Sequence, residues 1–222
     1  MPIYTSDDIR TGRAPWVRVD GFQLVTLDRT RASTPSSAGN VPYWGTITDT
    51  PAARSVSIRP TRPRERIVML GGEATVETES GRVTLQRRDW IDVPPAGITI
   101  TNLGYSWAEF AHIAGDWDET VRTEICAFSP EFPCEIHYHD GEEYWFVYRG
   151  HFTAEIDGER ADLQPGSILA APAGVEHGAT DPGEYFEAVV LATGLRGQGR
   201  DGHLTREKHG IPAPLPFPVA GS

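Results

Sequence analysis

The chain has 222 residues, room for one large domain or two small ones, and 39 % of them are hydrophobic. A net charge of -11 argues against a nucleic-acid or anionic-membrane partner, since either needs a concentrated basic surface. No apolar run approaches the roughly 20 residues of a membrane span. The opening Met1-Pro2-Ile3-Tyr4-Thr5 lacks the basic start and apolar core of an export signal, so a cytoplasmic location is expected.

Short runs of β-forming residues follow one another along the chain, broken by Gly, Pro, Asp and Asn, with few helical periods. The first half predicts strands at Phe22 to Leu27, Arg54 to Arg59, Arg66 to Leu70, Ala74 to Thr78, Arg82 to Gln86, Ile98 to Asn102 and Tyr105 to Ile113. Between Asp28 and Pro42 lies an aperiodic Ser- and Thr-rich stretch that reads either as a lid at a barrel mouth or as a surface excursion. The second half predicts strands at Val121 to Phe128, Glu135 to His139, Glu143 to Tyr148, Phe152 to Ile156, Ile168 to Ala171 and Tyr185 to Ala192. Cys126 and Cys134, the only cysteines, form no metal or disulfide pattern and are expected as free thiols.

Chemistry concentrates in His137-Tyr138-His139-Asp140-Gly141-Glu142-Glu143. On a strand His137 and His139 point to one side, with Tyr138 turned away. Asp140-Gly141 supplies a turn, so Glu143 opens the next strand beside them. His177 is expected from a distant turn. Three imidazoles and one carboxylate suit a divalent Fe, Mn, Ni, Zn, Co or Cu ion, one per chain, whereas Ca and Mg prefer oxygen shells.

These residues, with Gly150, Gly166, Pro172 and Gly174, stand at spacings that resemble the two signature motifs of the cupin superfamily. Two ends depart from the pattern: Glu131 stands where the first motif opens with glycine, and Asp181 where the second closes with asparagine. The resemblance implies an all-β double-stranded β-helix, or jelly roll. It also extends weakly to the first half. Glu65 and Gly72 repeat the spacing of Glu143 and Gly150, and Pro95-Ala96-Gly97 matches Pro172-Ala173-Gly174. A bicupin of two β-barrel domains is therefore expected, with an N-terminal arm at 1–17, a degenerate cupin at 18–116, a metal-binding cupin at 117–195 and an extended tail at 196–222. Carried into the first half, the alignment puts Arg59 and Thr61 at the paired histidines and Ile100 at the last one. That half is expected to hold no metal, and Arg59 is a candidate ion-pair partner for Glu65.

Trp145 and Val147 share the phase of Glu143, and Phe152, Ala154 and Ile156 alternate with polar neighbours, which predicts an apolar pocket around the ion. Glu187, Arg122 and Glu124 are the candidate substrate-binding or proton-transferring groups. His112, His151, His203 and His209 read as loop or surface histidines. The resemblance implies a metal-dependent enzyme acting on a small metal-chelating metabolite, an oxygenase first, a sugar or hydroxy-acid isomerase or lyase second, and a non-enzymatic ligand-binding protein third. The expected partners are a small-molecule substrate and a second copy in a homodimer, with no nucleic acid and no membrane.

Overall fold

The computed structural model describes residues 3–5, 19–28, 54–103, 107–117, 121–181, 185–193, 200 and 202–212. The segment following Asp28, read as a lid or an excursion, lies outside them. The chain divides into two compact units, Val19–Asp116 and a second that joins Met1–Arg18 to Trp117–Ser222. Strand β1 (Ile3–Thr5) belongs to the second. Among the described residues every strand pairing is antiparallel.

In the first unit one sheet runs β2 (Val19–Asp28), β9 (Trp107–Gly115), β4 (Arg64–Gly71), β7 (Trp90–Asp92). The other runs β3 (Ser55–Ile58), β8 (Ile98–Asn102), β5 (Glu73–Thr78), β6 (Gly81–Gln86). Leu27, Ile67, Met69 and Phe110 from the first sheet meet Val76, Ile98 and Ile100 from the second in one core. Alternation explains the membership: β8 buries every second residue, while β4 is buried on both faces from Glu65 onward.

The second unit repeats this order. Its first sheet runs β1, β15 (Ser167–Ala171), β12 (Glu143–Arg149), β17 (Phe186–Ala192), β10 (Arg122–Phe128), and its second runs β11 (Cys134–His137), β16 (His177–Asp181), β13 (Phe152–Ile156), β14 (Glu159–Leu163). Trp145, Val147, Ala188 and Val190 face Phe152, Ala154 and Ile156 across the barrel, as their phase predicts. The protein is thus all-β, a jelly-roll bicupin fold of two barrels. Among the described residues no helix is long and apolar enough to cross a membrane.

Strands β1, β7, β14 and β16 are additions to the sequence reading. Glu159-Arg-Ala-Asp-Leu163 is too polar to announce itself, but Asp157 and Gly158, both at positive φ, close a tight hairpin that pins it to β13 as an edge. His177-Gly-Ala-Thr-Asp181 has Thr180 as its single β-former, yet pairing with β11 on one side and β13 on the other makes it a strand. His177 therefore opens a strand rather than sitting in a turn.

The tail also differs from its expected extended form. Residues 202–212 fold back on the second barrel: Leu204 is buried and exchanges two backbone hydrogen bonds with Tyr138, and Arg206–His209 forms a short helix, α1.

Candidate metal centre

His137 ends β11 and His177 opens β16, and the two are directly paired across the strands. His139 follows on the same side after Tyr138, whose backbone bridges to Leu204, so alternation brings both imidazoles inward. Glu143 opens β12 in the opposite sheet. The site therefore lies between the two sheets, with one ligand atom from each of the four residues inside a cluster whose members are all within 4.8 Å of one another. All four side chains are buried.

Each imidazole is fixed by its far nitrogen. Nδ1 of His137 donates to the Glu135 carbonyl at 2.7 Å, Nδ1 of His139 to the Gly202 carbonyl at 3.0 Å, and Nδ1 of His177 to the Val175 carbonyl at 2.9 Å. A carbonyl can only accept, so these bonds turn all three Nε2 atoms toward the cluster and fix the tautomer that a metal requires. Glu143 is oriented in turn by the indole N–H of Trp145, which donates to its Oε1.

His139 Nε2 lies 3.0 Å from His137 Nε2 and 2.9 Å from Glu143 Oε2, so electron pairs converge there. His177 Nε2 is buried with no hydrogen-bond partner. Converging lone pairs and an orphaned buried nitrogen are costly in a low dielectric unless a cation accepts them. The donor set of three imidazoles and one carboxylate fits a first-row divalent metal, and the residues present fit such a group.

The electrostatics agree. Burial alone would raise the Glu143 carboxyl, but the imidazoles of His139 and His177 beside it hold it well below the usual range, leaving it an anion. Burial, with help from His177, pushes His137 down to about 3, which keeps its nitrogen free to ligate. Burial also works against a proton on His139, but its bond to Glu143 and that carboxylate's charge outweigh it, and His139 is raised. The two cysteines stay out of the chemistry. Burial first, then nearby carboxylates, push both Cys126 and Cys134 up to about 12, so each remains a neutral thiol.

Residues 125–194 match the family described as cupin domain. That segment, which holds His137, His139, Glu143 and His177, is a cupin domain. A protein of Sinorhizobium fredii recorded as uncharacterized, y4oW, is 23 % identical over 164 residues, which cover 66 % of this chain and 76 % of that protein. Among solved structures, Bacillus subtilis oxalate decarboxylase, from work on its Mn(II) centers, aligns with a TM-score of 0.51 at 12 % identity over 68 % of this chain and 70 % of its own. Lactobacillus farciminis oxalate decarboxylase in a formate complex aligns with a TM-score of 0.49 at 12 % identity over 63 % and 73 %. At such identity the Bacillus structure supports the cupin fold alone.

Within the cupin barrel the three catalytic candidates part company. Arg122 pairs with Ala192, which pairs with Glu143, so these three form one row on the inner face; Glu124, Val190 and Trp145 form the next. Arg122 and Glu124 are each 51 % exposed and lie 3.9 Å apart. Glu187 is a correction. It lies between Phe186 and Ala188, both in the core, and so faces the other way, where Tyr185 donates to it and Arg149 pairs with it at 3.2 Å.

The first barrel carries its own corrections. His112 is buried, with Nε2 2.7 Å from Glu65 Oε2, and Thr61 and Arg62 amides donate to the other carboxylate oxygen. These groups, rather than the exposed Arg59, hold Glu65. Strand register places Ile58 opposite Ile98 where the cupin centre places His137 opposite His177, so Ile98 and not Ile100 is the counterpart of the last histidine.

One histidine read as a loop or surface residue lies against the cluster. His203 stacks on His137 with ring centroids 3.9 Å apart and planes at 16°, and meets His139 edge-on at 5.3 Å. It stands outside both motifs, and no spacing signals it.

Proposed function

We propose that the protein is a metal-dependent enzyme acting on a small metabolite that chelates the ion through oxygen atoms, with an oxygenase as the leading reading. The observation that carries it is the convergence of three imidazole nitrogens, each locked by a backbone carbonyl, with one buried carboxylate. Four protein ligands leave open positions on an octahedral ion, which separates a working metal from a structural one. When bound, the ion supplies Lewis-acid polarisation of the chelating oxygens.

The chain's own residues supply the remainder. Phe128 stacks on Trp145 at 5.5 Å, and Trp145 meets His177 edge-on at 6.0 Å, so the inner wall is aromatic and excludes water. Arg122, half-exposed and in the row of Glu143, offers a cation to the anionic end of a chelator. The Arg122 and Glu124 pair also favours a second reading, a redox-neutral isomerase or lyase for hydroxy acids or sugars, because it puts charged groups on the inner face without calling on oxygen.

Oxygen uptake by metal-loaded protein on a panel of catechols, flavonols, diketones and hydroxy acids tests this. Turnover that consumes oxygen supports the first reading, and equal turnover under anaerobic conditions supports the second. Full metal occupancy without turnover on a broad metabolite screen would make the protein a ligand-binding cupin.

A further inference from the structure

The segment 202–212 is a strap built onto the metal centre rather than a tail beside it. Arg200, just before it, grips the buried Asp140 through two side-chain contacts of 3.0 and 3.1 Å and a backbone amide contact of 2.8 Å. Tyr138 exchanges backbone hydrogen bonds with Leu204, and its hydroxyl donates to the Gly210 carbonyl at 2.8 Å. At the far end Arg206 pairs with Glu176 at 3.1 Å. Pro212 lies so close over Gly174 that a Cβ there would sit 2.6 Å from its ring, so this motif glycine admits the strap.

The anchors fix more than the strap. Gly202 supplies the carbonyl that orients His139, so strap and ligand are set by the same contacts. His203, next in the chain, is thereby laid flat over His137. Among the described residues two other rings touch the ligand histidines: Trp145, which is buried, and His203, which is exposed. His203 therefore marks the solvent side, from which a ligand must arrive. Its own Nε2 and Nδ1 are not among the converging ligand atoms.

Resting on the metal-centre reading above, we propose that His203 is the side chain that touches a ligand taken up on the solvent side of the ion, and that its ring N–H selects small anions able to accept a hydrogen bond. Arg200 and Asp140 act as positioning residues, because they hold the strap that carries it. The interaction is a single hydrogen bond to an exogenous donor atom, in a partly covered site where such a bond counts for more than in water.

The test uses full-length protein loaded with Co(II), with azide as the probe and visible absorption as the readout. Wild type is expected to take one Co(II) per chain and to shift its spectrum on azide. H203A should hold Co(II) within about threefold of wild type but bind azide about tenfold more weakly, the loss of one hydrogen bond. H203Q, which keeps an N–H donor, should recover most of that affinity. Equal azide affinity in wild type and H203A would overturn the proposal while leaving the metal centre standing. A loss of Co(II) affinity beyond about tenfold in H203A would also overturn it, since it would make His203 a ligand. If wild type takes up no Co(II), the metal-centre reading fails and this proposal fails with it.

Discussion

Two barrels of the same strand order differ in what they place at one end. In the later one, His137 faces His177 across two paired strands; in the earlier, Ile58 faces Ile98 at the same register. Both keep a glutamate at the start of a strand in the opposite sheet, Glu143 first in β12 and Glu65 second in β4, but Glu143 is held among imidazoles and an indole, whereas Glu65 is closed off by backbone amides and His112. Both also keep a glycine at the end of that strand. Gly72 and Gly150 adopt φ of 72° and 73°, and a Cβ on either would lie 2.3 Å from the Trp107 or 2.2 Å from the Tyr185 carbonyl oxygen. The comparison separates two kinds of constraint. A turn that needs positive φ and admits no Cβ is imposed by the barrel itself, so it stays whether or not a metal is held. Ligands are imposed only by the ion, and isoleucines that bury apolar surface replace them without disturbing the fold.

Removing a ligand is the largest break available. H177A should lower metal affinity by on the order of 100-fold or more, because even residues that only orient ligands cost 10 to 100-fold in such sites. The Ile58 and Ile98 pair predicts that the earlier barrel contributes nothing to uptake. Elemental analysis of purified protein should therefore read one equivalent for wild type and close to none for H177A. Two equivalents would mean that Glu65 and His112 recruit an ion, and the division between the barrels would be lost.

The glycines sharpen the other half of the comparison. G72A and G150A should each destabilise by at least about 3 kcal/mol, since strain at positive φ adds to a backbone clash. Urea unfolding measures both. A small cost for G72A beside a large one for G150A would tie the glycine to the metal barrel rather than to the shared architecture.

How much of this was legible follows from sequence distance. His137, His139 and Glu143 fall within one hairpin, and His177 follows a glycine and proline turn at fixed spacing, so local geometry exposes all four. Ile98 was misread as Ile100 because the turn after Gly97 is two residues shorter than the one after Gly174, a deletion that a gap-free alignment cannot register. Glu187 was misplaced because period alone reports that faces alternate, not which face meets the core when both are buried, as in β17. His203 and Arg200 were invisible. Their contacts to His137 and Asp140 span about 60 residues and follow no period, so only the folded chain brings them together.

The smallest expected effect comes from the residual glutamate of the first barrel, and it carries a pH signature. Burial alone would raise the Glu65 carboxyl, but the hydrogen bond and charge of His112, with the amides of Thr61 and Arg62, more than offset it and leave the group lowered. A carboxyl lowered on folding binds fewer protons in the native state than in the unfolded one. Its contribution is therefore fully present above the ordinary carboxylate range and is lost as the pH falls through the lowered folded value. E65Q should cost about 1 to 2 kcal/mol at neutral pH, the worth of a charged acceptor replaced by a neutral one. In acid the wild-type and E65Q unfolding midpoints should converge. If the gap between them instead stays constant from neutral to acid pH, the glutamate serves by shape alone, and the ionic character retained from the metal-type site has no energetic role in the first barrel.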